Sequence, residues 1–476
     1  MRIELLGILA VAIGCLGWFL RLRFSLYVFF ASTLLGAGAA LILTGFGGAT
    51  IQPAHLLLGF LVLRAIAGRD FWGVTQTLKF PNEGFWLLAT GVYAVVASIF
   101  FPRLFAGATS VFAVARTVIG PGIVLMPLSP TSGNITQPIY FIGDILCFLI
   151  AYAWCRNLSG LRALAQAAIA CAVVNLGFAA LDLGTYVTGT TGLLSFMRNA
   201  NYRMLDEASI GGFKRLVGSF PEASAFAYAT LGLFAFCLRL ALAGVRPRLT
   251  GTLAALSLGA IVMSLSSTGY AAAGGLLAAM FVVSLAQLLS RPVMRGTLAF
   301  LALSPLIIVL VIGIRLNEPG WRVVSTMFDK TIVTKMDSDS GLERARWNEQ
   351  ALKNFADTDG LGAGVGSVRA SSFPIAVLGN IGVVGALTYG AFLFGVLFRR
   401  RGRWQAPFPS ACQSGARWAC FAQLLGASVA GSFIDLGLPF FIFAGLACAR
   451  PKLAPQAARA PRQAAPLPAA AVGAAS

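Results

Sequence analysis

The sequence predicts an all-α fold, a polytopic transmembrane helical bundle of about 12–13 spans with two enlarged loops on its outer side. Three observations carry this. Of 476 residues, 58% are hydrophobic and 11% charged, with a mean hydropathy of +0.81, whereas an ordinary soluble domain is about a quarter charged. Uncharged apolar runs long enough for a bilayer core of about 30 Å recur along the whole chain. Lys and Arg collect at alternate connections, as they do in loops retained in the cytoplasm.

The elements follow in order. Residues 3–20 have neither a basic leader nor a small-residue cleavage site, and Arg21 and Arg23 follow at once, so the segment reads as a retained span rather than a signal peptide. Further spans are expected at 24–43, 46–66, 84–101, 139–155 and 163–181, then at 224–242, 251–265, 269–289, 297–314, 373–398, 418–433 and 436–448. The eighth and the last two are short. The basic clusters Arg21/Arg23, Arg64/Arg69/Lys79, Arg156/Arg162, Arg246/Arg248, Arg291/Arg295, 399–403 and Arg450/Lys452 then all fall on one side, with the amino terminus outside and the carboxyl terminus inside. The formal charge of +19 is thus explained by topology, and nucleic acid is not an expected partner. The eight cysteines form no CxxC pair and no ligand spacing with histidine, which excludes a disulfide framework or zinc site of the usual kinds. Residues 1–450 read as one transmembrane domain, and the Ala- and Pro-rich 451–476 as a disordered cytoplasmic tail.

Two outer loops, 184–221 and 315–372, are long, and long loops are often functional. Eight of the seventeen acidic residues lie in the second, matched by eight basic ones. Within it, Ser340-Gly-Leu-Glu343 is a capping box that opens a helix running to about Phe355. Leu342, Ala345, Leu352 and Ala356 share one face of that helix, which the pattern lays against the bundle or the membrane surface. Arg344 and Arg346 stand about 160° apart, so one or the other, not both, is expected to meet a small ligand.

The first loop supplies Arg198, Arg203, Lys214 and Arg215 just before a span, followed by Glu222. Cations gathered there point to an anionic ligand, since guanidinium forks bind phosphate oxygens bidentately in a poorly solvated site. The competing interpretation is interfacial snorkelling, or ion pairs with Asp206, Glu207 or Glu222. Asp144 within the fifth span is costly to place in lipid and should face a cavity or a basic partner.

Three separated patches agree in order with one family: the Arg215–Ser224 segment, Ser264-Leu-Ser-Ser-Thr-Gly269 between two spans, and Arg344-Ala-Arg346-Trp347 followed by the Gly-rich 360–372 and Asn380-Ile-Gly382. On these patches, which cover roughly the carboxyl-terminal half, the chain resembles the O-antigen polymerase and ligase superfamily, closest to Wzy-type exopolysaccharide polymerases. The resemblance implies a metal-independent, cofactor-free, inverting glycosyltransferase of the bacterial inner membrane. It would join polyprenyl-diphosphate-linked oligosaccharides into a growing polysaccharide at the periplasmic face, with a chain-length regulator as a further partner. A base would take the proton of the attacking sugar hydroxyl while cations hold the departing diphosphate.

Under that resemblance Glu222 is the preferred base and Glu343 the second, with Arg215 on the diphosphate. Ser266, Ser267 and Thr268 are placed to bond sugar hydroxyls, and the 360–372 loop to offer backbone N–H groups and Arg369 to the head group. That glycine run follows no strand and carries no Walker lysine, so a nucleotide loop is rejected. The ligase branch is expected to use a histidine in its large outer loop, whereas the one histidine here is His55, in the third span. His55 is either a packed histidine or a base facing a cavity. A glycolipid flippase or transporter is the reading from another class, but no internal repeat supports it.

Overall fold

The apolar runs become helices almost one for one. The computed structural model describes residues 1–46, 48–68, 73–117, 120–201, 204–290, 295–318, 321–322, 325, 339–399 and 407–450. The helices are α1 (Leu5–Phe19), α2 (Leu22–Ser32), α3 (Pro53–Ala67), α4 (Val74–Leu78), α5 (Glu83–Leu104), α6 (Gly133–Cys155), α7 (Leu158–Val187), α8 (Ala223–Leu242), α9 (Pro247–Met263), α10 (Ser267–Ser290), α11 (Arg295–Leu316), α12 (Asp339–Asp357), α13 (Phe373–Phe398), α14 (Pro407–Ala430) and α15 (Leu438–Cys448). Six of them, α5, α6, α7, α8, α10 and α13, are long and apolar enough to cross a membrane, and α1, α2, α3, α9 and α15 are shorter apolar helices. The fold is that of a helical membrane bundle. Arg203, Arg69, Arg291, much of 319–338, most of the 399–403 cluster and the 451–476 tail lie outside the described residues.

Helix α8 occupies the middle of the bundle, packed on α7, α9, α10 and α14. Its neighbours approach closely because glycines leave room: a Cβ at Gly415 would meet Phe236 at 3.0 Å, and one at Gly426 would meet Tyr228 at 3.1 Å. Small residues at such contacts let helices associate through packing where lipid removes the hydrophobic drive.

Two expected spans depart from regular helix. Helix α2 ends at Ser32, and at about 1.5 Å per residue its eleven residues cover only half a bilayer core. The chain then runs irregularly to strand β2 (Leu41–Leu43), which pairs with β1 (Arg2–Ile3) and β3 (Ala49–Ile51) before α3 begins at Pro53. Irregular backbone at this depth needs internal partners. The first outer loop provides them: Ala37 N–H donates to the Ser219 carbonyl at 3.0 Å, Ala200 N–H to the Ala37 carbonyl at 3.0 Å, and Ala39 N–H to Asn199 Oδ1 at 2.8 Å.

A third extended connection lies between α5 and α6, where β4 (Ser110–Thr117) and β5 (Gly120–Pro127) form an antiparallel hairpin. Its base is tied to α12. Asn354 Nδ2 donates to Thr109 Oγ1 at 2.9 Å and to the Ser110 carbonyl at 2.6 Å, and Thr109 donates to Asp357 at 2.6 Å. Helix α12 is therefore clamped by polar contacts, through a face made of Trp347, Ala351, Asn354 and Thr358. Leu342 and Leu352, on the predicted apolar face, are 48% and 45% exposed, so that face is not packed on the bundle, and of the two expected settings the membrane surface is the one left.

Candidate active site

The site is assembled from connections at one end of the bundle: those before α3, α6, α8, α10 and α13, and the one between α14 and α15. Its first fixed point is Asp182, near the end of α7 and fully buried. Asp182 Oδ1 accepts Arg198 Nη2 and Lys214 Nζ, each at 2.7 Å, and Oδ2 accepts the N–H groups of Val217 at 2.9 Å and Gly218 at 3.1 Å. Arg198 also pairs with Asp206 at 3.1 Å. Four donors on one carboxylate fix the loop segments that carry them. Arg198 and Lys214 are thereby committed inside the loop, the ion-pair interpretation weighed for this segment; Asp206 is one of the partners named for it, and Asp182, which holds both cations, is not.

The second fixed point is the glycine-rich loop after α12. Gly360, Gly362, Gly364 and Gly366 all have φ between 74° and 93°, a region glycine enters without steric cost. The N–H groups of Gly362, Ala363, Gly364, Gly366, Ser367 and Val368 donate within the fold, to Thr358 Oγ1, the carbonyls of Gly379, Asn380 and Gly364, and Asn380 Oδ1. These groups are not offered to a ligand, which corrects the expectation of a backbone cradle. Asn380 and Asn134 tie the loop down instead, Asn134 Nδ2 donating to the Val365 carbonyl and Ser367 Oγ at 2.8 Å each. Helix α13 breaks at Gly382, whose φ of 56° lets the loop lie against it. A Cβ there would meet the Gly360 carbonyl oxygen at 2.2 Å.

Between these points two arginines, Arg215 and Arg369, stand in the field of one carboxylate, Glu222, and a third, Arg344, stands near Arg215. Arg215 is half-buried and its Nε donates to the Ser264 carbonyl at 3.5 Å. Burial lowers its guanidinium below the usual arginine range, Glu222 opposes that, and Arg344 adds to it. Arg369 is lowered by burial as well, opposed by Glu343 and Glu222, and its guanidinium carbon stands 4.5 Å from the centre of the Trp347 ring. Glu222 thus lies in the field of both arginines, at the N-cap of α8, where its Oε1 accepts the Ser224 hydroxyl. Arg344 is half-buried toward Arg215 while Arg346 is exposed, so the angular argument separates the two. Ser266 caps α10, accepting Gly269 N–H at 3.3 Å, and Thr268 lines the neighbouring cavity.

Two cavities occupy this end. The first, about 480 Å³, is bordered by Glu222, Ser224, Tyr228, Thr268 and Gln423, whose buried amide has no partner among the described residues. The second, about 640 Å³, is lined by Thr50, Thr131, Thr136, Gln137, Tyr140, Asn201, Ser367 and Arg369, a surface rich in hydroxyls and amides. Gln52, His55, Phe433 and Asp435 border both. Among the described residues His55 Nδ1 has no hydrogen-bond partner, and its ring centre is 5.2 Å from that of Tyr140. Of the two interpretations of His55, the structure favours the cavity. Asp144, in α6, is buried, no donor among the described residues reaches either of its oxygens, and the Asp435 carboxyl stands beside it, so it faces a second acid rather than a base.

No protein-family model, no curated protein and no solved structure matches this chain. Fold and site together define its class, a helical membrane protein with two adjoining polar cavities at one end of its bundle, one of them bordered by Arg369.

Proposed function

We propose that this chain is a membrane glycosyltransferase that joins polyprenyl-diphosphate-linked oligosaccharides into a polysaccharide. The observation that carries the reading is that Arg215 and Arg369, from patches far apart in sequence, stand in the field of Glu222 beside two adjoining cavities, with Arg344 near Arg215. Fixed guanidinium groups in a poorly solvated cleft suit a diphosphate leaving group. Hydroxyl and amide walls beside aromatic rings suit sugars, and two spaces in contact suit a donor and an acceptor glycan.

The residues take these roles. Arg215, with Arg344 beside it, holds the diphosphate, and Arg369, fixed on Trp347, completes the cationic wall. Glu222 keeps the arginines apart and aligned. Thr268 meets sugar hydroxyls, and Ser266 shapes the α10 entry. In this reading the chain crosses the bacterial inner membrane about thirteen times and the cleft opens to the periplasm, where lipid-linked glycans arrive already activated.

The test is the fate of lipid-linked glycan. Cells lacking the chain should accumulate single lipid-linked repeat units, and the purified protein should convert those units into a ladder. A ligase-type transfer to another acceptor is the second reading, favoured by the placement of His55 in the cleft although the outer loops lack a histidine. It predicts accumulation of finished, lipid-linked polymer instead.

A further inference from the structure

Of the four side chains that border both cavities, Asp435 is the one carboxylate. It sits in the short connection between α14 and α15, and its backbone is fixed on both flanks. The Tyr389 hydroxyl donates to the Ile434 carbonyl at 3.1 Å and the Tyr228 hydroxyl to the Leu436 carbonyl at 2.8 Å. Asp435 Oδ1 accepts the Gly437 N–H at 2.5 Å, in a turn where Gly437 has a φ of 80°. Behind it lies Asp144, 1% exposed, within hydrogen-bonding reach of the Asp435 carboxyl.

A base for glycosyl transfer must be rigid and must stand where acceptor and donor meet. Glu222 borders only the first cavity and stands in the field of Arg215 and Arg369. Asp435 meets both requirements. Resting on the glycosyl-transfer reading above, we propose that Asp435 is the general base, the carboxylate that takes the proton of the attacking sugar hydroxyl at the junction of the two cavities. The hydroxyl oxygen forms its bond to the anomeric carbon. The bond from that carbon to the diphosphate oxygen breaks, its electron pair leaving on the diphosphate, and the hydroxyl proton passes to Asp435 and then to water. Asp144 acts through Asp435 and is a positioning residue.

The test uses full-length protein in lipid nanodiscs and, as substrate, the lipid-linked repeat unit that accumulates in cells lacking the chain. Two quantities are read, the rate of ladder formation and the Kd for that repeat unit. Asp435→Asn should slow the ladder about 100-fold or more while Kd stays within about threefold of wild type, and Asp435→Glu should recover part of the rate. A rate within threefold of wild type for Asp435→Asn overturns the assignment and leaves the polymerase reading standing. Loss of binding together with rate makes Asp435 structural and also overturns it. If Asp435→Asn does not fold, Asp435→Glu alone decides, since it keeps a carboxylate but moves it by one methylene: a reduced rate at unchanged Kd supports the base, and an unchanged rate sinks it. Wild-type protein that makes no ladder defeats the underlying reading itself.

Discussion

At the scale of single residues, Asp182 does the most to build the site while lying outside it. Its carboxylate is buried under two cations and two backbone N–H groups, and removing one partner of such a buried cluster costs about 3–5 kcal/mol because the rest is left uncompensated. Asp182→Asn should therefore lower the melting temperature measured in detergent and loosen the 184–221 loop, seen as faster proteolysis between 199 and 214. A melting curve unchanged from wild type would show that the cluster contributes nothing. Arg215 acts on the other side of the same segment, and Arg215→Lys should reduce polymer yield at least about tenfold, nearly as much as Arg215→Ala, because lysine keeps the charge but loses the bidentate fork. Wild-type yield from Arg215→Lys removes Arg215 from the diphosphate site. Arg215, Arg344 and Arg369 were legible in the sequence because each stood in an outer segment beside a motif. Asp182 and Asp435 were not, although an acid at the end of a long apolar run, and an acid in a two-residue gap between two such runs, are signals of the same kind as Asp144.

At the scale of elements, helix α13 shows what apolar periodicity resolves and what it misses. Its bounds, Phe373–Phe398, are those the sequence predicts, yet the break at Gly382 that seats the glycine loop is invisible in a hydropathy window. Gly382→Ala places a Cβ 2.2 Å from the Gly360 carbonyl oxygen in a conformation that side chains rarely adopt. It should detach the 360–372 loop, exposing it to protease and abolishing ladder formation, whereas Gly390→Ala in the same helix meets nothing within 4 Å and should be tolerated. Equal behaviour of the two variants would show that the kink does not hold the loop. Helix α12 was legible in extent, 340–355 against Asp339–Asp357, but the face it packs on the fold was not. That face is held by Asn354, Gln350 and Trp347 through hydrogen bonds and a cation–ring contact, which apolar counting does not detect. Segments 24–43 and 46–66 are only partly helical, which the apolar pattern does not reveal either. A window of apolar residues cannot distinguish a helix from an irregular chain whose backbone is satisfied by a loop 160 residues away.

At the scale of the whole molecule, the proposed chemistry depends on sidedness, because a flipped, lipid-linked donor reaches only the periplasmic face. Charge alternation places the connections before α3, α6, α8, α10 and α13 on one side, and the site gathers residues from those same connections, so topology and cleft agree without either being derived from the other. Seven of the eight native cysteines are buried and Cys15 is exposed, so a cysteine-free background is the clean starting point for labelling. Probes must be exposed to react: Ser219 and Ser367 are buried, whereas Ser209 in the first outer loop, Glu349 on α12 and Ser159 at the start of α7 are exposed. In intact spheroplasts, single cysteines at positions 209 and 349 should react with a membrane-impermeant maleimide, and one at 159 should react only after the membrane is opened. The reverse pattern would put the arginine cluster in the cytoplasm, where a periplasmic lipid-linked glycan cannot reach it, and the polymerase mechanism would fall with the topology.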